Sequence, residues 1–271
     1  HSHIPSAQVK SSLILAALYI KGESIISEDV KTRDHTERLL KYMEYPISID
    51  KETVTLQGCE NIVAKDIDVP SDISSAAFFI VAALIKKGSD ITLNNIGVNP
   101  LRTGIIDILL EMGANIKLTN CRTMCNEPVA DIKVKYSQLN PINISGDIIS
   151  RLIDELPILF IACATCNGLS LIKDIHELRY KESDRIEAME NGLKKLGIDI
   201  VSTENSIKIT GGNFSGGIVD SYGDHRIAMS FLIAGLVSNK PITVLNTSNI
   251  NTSFPNFENI LRNQKIDIYT V

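Results

Sequence analysis

Three kinds of apolar and polar pattern occur along this chain, and they follow one another in a repeated order. Segments that are apolar on nearly every side, such as residues 74–86, predict helices buried all round. Short stretches rich in β-branched residues follow, as at 91–93 and 242–245, and predict strands. Segments with apolar residues three or four positions apart come next and predict half-buried outer helices.

This order recurs with a period of about 70 residues, which is typical of repeat architectures. The buried helices are predicted at 11–20, 74–86, 155–165 and 225–237. The outer helices are predicted at 36–43, 103–111, 183–196 and 257–263. The pattern therefore predicts an α/β fold of repeated helix–strand–helix–strand units, with the apolar helices inside and sheets and amphipathic helices around them.

The repeats also predict domain boundaries. Pro70 follows a short strand-like stretch and marks the expected hinge, with one domain at 1–68 and a second at 69–271. Residue 1 lies almost at a helix start with no strand before it, and the last repeat stops at 267–271 without a closing strand. We expect from this a C-terminal fragment of a longer chain.

Composition narrows the classes of partner. The 271 residues are 44% hydrophobic and carry a net charge of −5, and the sequence pI is about 5.6. A nucleic-acid binder or a membrane-surface protein would need a basic face, so both classes are disfavoured. No apolar run approaches the roughly 20 residues of a membrane span, and no signal sequence is recognisable. We expect a cytoplasmic protein whose anion sites are local basic clusters.

The cysteines do not indicate a disulfide framework or a metal site. There are five, and Cys163 and Cys166 form a C-x-x-C inside the apolar run 156–166 without a second pair at ligand spacing. Buried, reduced thiols are the favoured interpretation over zinc or redox chemistry. No P-loop or dinucleotide fingerprint is present, so neither a metal nor a cofactor is predicted.

Charged residues concentrate at predicted helix starts, where backbone N–H groups are unsatisfied and phosphate binds readily. Each cluster alone could be a solvated helix cap. Asp154 and Arg226, however, open apolar helices with little solvated face, and Lys181 and Arg185 are expected to crowd around Glu182. Buried charges need partners, and phosphates would supply them.

The histidines admit two interpretations. His35 and His225 each follow an Asp and could transfer protons, but structural hydrogen bonding at a turn is favoured for both. His176 lies in no motif and is expected to be structural.

The charged clusters, in this order, resemble the EPSP synthase family along essentially the whole chain. Ser71 is the one departure, since it replaces a usual Gly. The matching motifs are S-A-Q-V-K-S at 6–11, R-D-H-T-E at 33–37, P-S-D-I-S-S-A at 70–76, D-E-L-P at 154–157, K-E-S-D-R at 181–185 and D-H-R-I-A-M at 224–229.

The resemblance implies the enolpyruvyl-transferase fold, an inside-out α/β barrel of repeated βαβαββ units with buried parallel helices. Two domains close on substrate at their interface in that fold, and the first would be only partly present here. The N-terminal third of the enzyme, which carries further substrate-binding residues, would be the missing partner. The protein is expected to be a monomer, without nucleic-acid or membrane partners.

The implied reaction transfers the enolpyruvyl group of phosphoenolpyruvate to the 5-hydroxyl of shikimate 3-phosphate, and it needs a general acid and a general base. Two alternatives stay open: an enolpyruvyl transferase acting on UDP-N-acetylglucosamine, and a non-catalytic anion-binding fragment. By the resemblance, the catalytic residues are Asp154, Glu182 and Lys181, with the two carboxylates as proton carriers, and which of the two carries the proton stays open. The resemblance also implies that Lys181, Arg185 and Arg226 bind phosphoenolpyruvate, that Asp154 contacts substrate, and that Ser6, Ala7, Gln8 and Arg33 bind shikimate 3-phosphate.

Overall fold

The computed structural model describes residues 1–3 and 6–269. Ile4, Pro5, Thr270 and Val271 lie outside the described residues, so the expected stop of the last repeat at 267–271 falls partly outside them. The α-helices, in chain order, are α1 (Ala7–Ala17), α2 (His35–Tyr42), α3 (Ile73–Ile85), α4 (Gly104–Glu111), α5 (Leu156–Ala164), α6 (Arg185–Lys195), α7 (His225–Ala234), α8 (Ile250–Ser253) and α9 (Phe257–Asn263).

Short 3₁₀ helices at Gly146–Arg151, Ile153–Glu155, His176–Tyr180 and Gly235–Val237 supplement the α-helices. The strands are β1 (Gly22–Ser27), β2 (Ile47–Asp50), β3 (Thr53–Gly58), β4 (Asp90–Gly97), β5 (Asn115–Met124), β6 (Glu127–Lys135), β7 (Asn143–Ile144), β8 (Leu169–Lys173), β9 (Asp199–Ser202), β10 (Ser206–Thr210), β11 (Gly217–Asp220) and β12 (Ile242–Leu245).

The predicted repeat is confirmed by the element order. Helix, strand, helix and paired strands succeed one another from α1 to β3, from α3 to β6 and from α5 to β10, and α7 and β12 begin the same order again. The predicted start of the first helix at residue 11 is wrong, because Ser6 caps α1 by accepting a hydrogen bond from the backbone N–H of Val9.

The strands form small sheets. β3 lies between β1 and β2 with antiparallel pairing on both sides. β6 lies between β4 and β5. A four-stranded sheet has the order β7-β8-β10-β9, in which only β7 and β8 are parallel, and β11 pairs with β12 in parallel.

The chain divides into two compact units. The first comprises residues 1–71, 95–102 and 120–131, and the second comprises 72–94, 103–119 and 132–271. The division falls within β4, β5 and β6, so each of these strands contributes residues to both units. The sequence-based assignment of domains at 1–68 and 69–271 stays a prediction.

The first unit has a core formed by one face of α1, Leu40 of α2 and the sheet of β1, β2 and β3. The opposite face of α1 does not match the expectation of a helix buried on every side, since Val9, Leu13 and Leu15 are exposed. The described part of the first unit supplies no element that covers these side chains. The core residues are Ile14, Ala17, Ile26, Leu40, Tyr45, Val54 and Leu56.

The second unit has a core of apolar helices. α3, α5 and α7 pack against one another, and every residue of α5 and every residue of α3 except Ser75 is buried. This confirms the prediction for the apolar segments. Because burial excludes water from Cys163 and Cys166, the pKa of each thiol is raised to about 12, so both remain protonated at neutral pH. Within the described residues, no helix has the length and apolarity needed to cross a membrane.

Candidate functional site

Arg185 is the centre of a charged cluster in the second unit. It is the first residue of α6, and its side chain is only 1% exposed. Nε donates to Asp224 Oδ2 at 2.8 Å, Nη2 donates to Glu182 Oε2 at 2.5 Å, and Nη1 lies 3.7 Å from Asp154 Oδ1. A buried guanidinium is costly unless it is paired, and three carboxylates here compensate that cost.

Asp224 connects Arg185 to the start of α7. Its Oδ2 accepts from Arg185, while its Oδ1 accepts from the backbone N–H groups of Arg226 and Ile227. The carboxylate is fully buried, which raises its pKa, but the charge and hydrogen bond of Arg185 and the two N–H groups outweigh burial. The pKa of Asp224 is therefore lowered from its ordinary value, and the group is ionised at neutral pH.

Arg226 and Asp154 form a second contact within this cluster. Arg226 Nη1 donates to the backbone oxygen of Asp154 at 3.2 Å, and Nη2 lies 3.9 Å from Asp154 Oδ2. Asp154 sits in the 3₁₀ turn Ile153–Glu155 that leads into α5. Ser74 on α3 donates to Glu155, so α3, α5 and α7 all contribute to holding this corner.

Lys181 is not placed where the sequence analysis expected it. Its Nζ lies 2.5 Å from Glu177 Oε1, one turn back along the 3₁₀ helix His176–Tyr180. The expectation that two cations crowd around Glu182 is therefore wrong, since Arg185 pairs with Glu182 whereas Lys181 pairs with Glu177. Local geometry decides this, because Glu177 and Lys181 are four residues apart along one helical turn. The Glu182 side chain itself is 57% exposed and accessible to a ligand.

His225 follows Asp224 and opens α7. Burial lowers its pKa, the neighbouring Arg226 lowers it further, and the opposing effect of Asp224 is smaller. The imidazole is consequently neutral at neutral pH.

In the first unit, the predicted phosphate-binding residues lie at the start of α1. Ser6 is the N-cap and Ala7 and Gln8 begin the helix, so their backbone N–H groups have the orientation that favours anions. Arg33 precedes α2. Lys10 Nζ donates to the backbone oxygen of Thr32 at 3.3 Å, which joins α1 to the residue next to Arg33.

A buried ion cluster holds this region together. Lys10 Nζ lies 2.8 Å from Glu28 Oε1 and 2.9 Å from Glu37 Oε1, and all three side chains are buried. Thr32 donates to Glu28 through both its N–H and its hydroxyl. The ends of α1, β1 and α2 are therefore fixed by one cation and two carboxylates.

A polar network surrounds the start of α2. Asp34 Oδ1 accepts from Arg38 Nε and Asn99 Nδ2, and His35 Nδ1 lies 2.7 Å from Glu127 Oε1. Burial raises the pKa of Asp34, but the hydrogen bonds of Arg38 and Asn99 outweigh it and leave the pKa lowered. His35 thus has the structural hydrogen bond that the sequence analysis favoured.

Sequence reasoning assigned no role to three residues that organise these clusters: Lys10, Glu37 and Asp224. Each lies inside a motif that was recognised. Their positions in the helices could have indicated these roles. Asp224 is the N-cap of an apolar helix, and Lys10 lies on the buried face of α1. The roles of these three residues depend on partners that are distant in sequence, and the spacing of residues within a motif does not show which partners those are.

The fold first defines a class of protein. The crystal structure of the enolpyruvyl transferase NikO from Streptomyces tendae is 17% identical and superposes with a TM-score of 0.75, covering 97% of this chain and 60% of that one. At this identity the likeness concerns the fold alone. The structure of EPSP synthase from Acinetobacter baumannii is 46% identical with a TM-score of 0.91, covering 95% of this chain and 60% of that one.

The family follows from sequence. The EPSP synthase (3-phosphoshikimate 1-carboxyvinyltransferase) family profile matches residues 1–261. The 3-phosphoshikimate 1-carboxyvinyltransferases of Methylococcus capsulatus and Petrotoga mobilis are 49% and 50% identical, covering 98% and 95% of this chain. The chain belongs to the EPSP synthase family. It spans 61% and 60% of the length of these two relatives.

Proposed function

We propose that the complete protein transfers the enolpyruvyl group of phosphoenolpyruvate to the 5-hydroxyl of shikimate 3-phosphate and releases phosphate. The observation that carries the proposal is the Arg185 cluster, which gathers two arginines and two accessible carboxylates at the starts of α5, α6 and α7. Membership of the EPSP synthase family supports the choice of substrates over UDP-N-acetylglucosamine.

The cluster has the groups that each step requires. Protonation of the enol carbon makes the adjacent carbon electrophilic, and the attacking hydroxyl loses its proton as the new C–O bond forms. Elimination then removes a methyl proton and expels phosphate. Asp154 and Glu182 are the proposed proton carriers. Arg226 and Lys181, which lies outside the cluster and pairs with Glu177, are proposed to bind the anionic groups of phosphoenolpyruvate.

Nε and Nη2 of Arg185 already donate to carboxylates, so an anion can take the position at Nη2 only if Glu182 leaves it. Of the three carboxylate partners, Glu182 is the most exposed, with 57% of its side chain accessible. We propose that an anionic group of phosphoenolpyruvate replaces Glu182 at Nη2, and that the released Glu182 then serves in proton transfer. Ser6, Ala7, Gln8 and Arg33 are proposed to bind the phosphate of shikimate 3-phosphate. The cytoplasmic location and the monomeric state stay predictions.

The test is a chimera that adds to this chain the part of the Methylococcus capsulatus relative that the chain does not match. Phosphate release is measured from phosphoenolpyruvate with shikimate 3-phosphate or UDP-N-acetylglucosamine as acceptor. We expect phosphate release when shikimate 3-phosphate is the acceptor and none when UDP-N-acetylglucosamine is the acceptor. Glu182→Gln is expected to lower kcat by about 100-fold or more, because it removes a proton carrier. Glu187→Gln, an exposed site on α6, is the matched control.

Two outcomes would contradict the proposal. Activity only with UDP-N-acetylglucosamine would change the acceptor, and equal activity of Glu182→Gln and Glu187→Gln would remove Glu182 from the chemistry. The unmodified chain without the added part is expected to be inactive.

A further inference from the structure

His1, His3 and Asp29 form a cluster that the proposed reaction does not use. His1 Nε2 lies 2.7 Å from Asp29 Oδ1, and His3 Nδ1 lies 2.9 Å from Asp29 Oδ2. One donor atom from each residue lies within 4.8 Å of the others. The sequence analysis found no metal-ligand spacing because Asp29 is 26 residues from His3.

The backbone brings the three side chains together. Ser2 forms a parallel bridge with Glu28, and its N–H donates to the Ser27 oxygen at 2.8 Å. In extended backbone the side chains at positions i and i+2 point to the same face, and the His1 and His3 rings accordingly have centroids 4.5 Å apart. Asp29 lies two residues beyond the end of β1 and contacts both rings.

A further contact orients one imidazole. His1 Nδ1 lies 2.7 Å from Ser27 Oγ, which leaves Nε2 directed at Asp29. Metal-binding histidines usually have their second ring nitrogen hydrogen-bonded in this way, because the bond fixes the tautomer and the ring orientation. A chance surface pairing of His with Asp does not require it.

We propose that His1 Nε2, His3 Nδ1 and Asp29 bind one divalent ion of the zinc type. Two imidazoles and a carboxylate suit Zn²⁺, whose bonds to such ligands are about 2.0–2.2 Å long. Small side-chain rotations convert the present hydrogen bonds into these bonds. The three side chains are exposed, so water completes the coordination. The ion would join the segment before α1 to the end of β1.

The test uses the full chain in a buffer free of chelators. Calorimetry with Zn²⁺ is expected to give one site, and Co²⁺ is expected to give the visible absorption of a tetrahedral or five-coordinate complex. His3→Ala and Asp29→Ala are expected to abolish the Co²⁺ spectrum. Ser27→Ala is expected to weaken Zn²⁺ binding by about tenfold through loss of ring orientation. His176→Ala, an exposed histidine elsewhere, is the matched control.

Each result decides the proposal. Loss of binding in both His3→Ala and Asp29→Ala, with binding retained in His176→Ala, supports it. Binding that survives in Asp29→Ala but not in His3→Ala would mean chelation by the tripeptide 1–3 alone and would overturn it. Absence of Zn²⁺ binding by the unaltered chain overturns it as well. Circular dichroism of each variant checks that the fold is retained.

Discussion

Single contacts explain much of the candidate site, and the contact between Asp224 and Arg185 is the most informative of them. Removing one partner of a buried ion pair leaves the other charge without compensation, whereas the pair itself adds little stability over an apolar pair. Asp224 also caps α7, which begins with His225 and Arg226. It therefore positions two arginines of the cluster without itself being exposed to a ligand.

Asp224→Asn tests this arrangement. Asn is as good an N-cap as Asp, so the change keeps the cap of α7 and removes the charge beside Arg185. We expect the free energy of unfolding of the second unit to fall by roughly 3 kcal/mol, measured by urea denaturation. Asp199→Asn, an exposed site in β9, should change it by less than about 0.5 kcal/mol. Equal effects would refute the role of the charge.

The same carboxylate predicts a pH dependence. Its pKa is lowered in the folded state from the ordinary value of 3.8. A lowered pKa stabilises the fold fully above the unfolded-state pKa, and this stabilisation is lost as the pH falls through the folded-state pKa. The difference in unfolding free energy between wild type and Asp224→Asn should thus be constant above about pH 5 and shrink below about pH 4. A difference that does not change with pH would contradict the assignment.

At the same scale, the sequence predicted residue types better than partners. The positions of Glu182, Arg185 and Arg226 in one cluster were expected, and the structure brings them into one unit. The pairing of Lys181 with Glu177 was not expected, because a charged run offers several local partners of similar energy and backbone geometry selects among them.

At the scale of secondary-structure elements, the packing of α6 against α7 in the second unit depends on one glycine. Gly192 lies in α6 where a Cβ atom would come within 2.1 Å of the ring of Phe231 on α7. Phe231 is fully buried, and close packing leaves its ring little space to move. The two helices therefore approach closely at this point because Gly192 has no side chain.

Gly192→Ala and Gly235→Ala make a matched pair. At Gly192 the clash should lower the free energy of unfolding by about 1–3 kcal/mol. Nothing lies within 4 Å of a Cβ at Gly235, whose φ is −55°, so Ala there should raise it by about 0.4–1 kcal/mol through reduced freedom of the unfolded chain. Thermal and urea denaturation measure both. Destabilisation of equal size at the two sites would contradict this explanation.

The Lys10 cluster makes the corresponding prediction for α1, β1 and α2. Lys10→Met leaves the carboxylates of Glu28 and Glu37 buried without their cation and should cost about 3–5 kcal/mol in the first unit. Hydrogen exchange of the α1 amides measures this loss. Lys21→Met, at an exposed position, is the control. Adding Glu28→Gln and Glu37→Gln should restore part of the protection, and no restoration would show that packing matters more than charge.

The elements themselves were largely predictable, because their apolar periods are strong and uninterrupted. α9 was predicted with its bounds, and α3, α4 and α5 to within one residue at each end. The first helix was placed four residues late, since a buried lysine cannot be distinguished from a solvated one by period. Its exposed apolar face was also unexpected, because a pattern shows which side chains are apolar and not what covers them.

At the scale of the whole molecule, one family match, to residues 1–261, extends over both units. Each unit contains the same succession of elements, and the motifs recur where helices begin. The chain spans 61% of the length of the Methylococcus capsulatus relative. The proposed activity is therefore tested on the completed protein. The sequence predicted the repeat from periodicity, but it did not predict that residues 95–102 and 120–131 join the first unit.

That interleaving has a consequence for how such a protein can be recombined. A single crossover between related genes near residue 71 would separate Asp34 from Asn99 and His35 from Glu127, although each pair belongs to the same unit. A hybrid would then inherit the two halves of these contacts from different parents. The two units therefore cannot be exchanged between relatives by a single crossover. Recombination near residue 71 should preserve function only where both parents carry matching residues at 34, 35, 99 and 127.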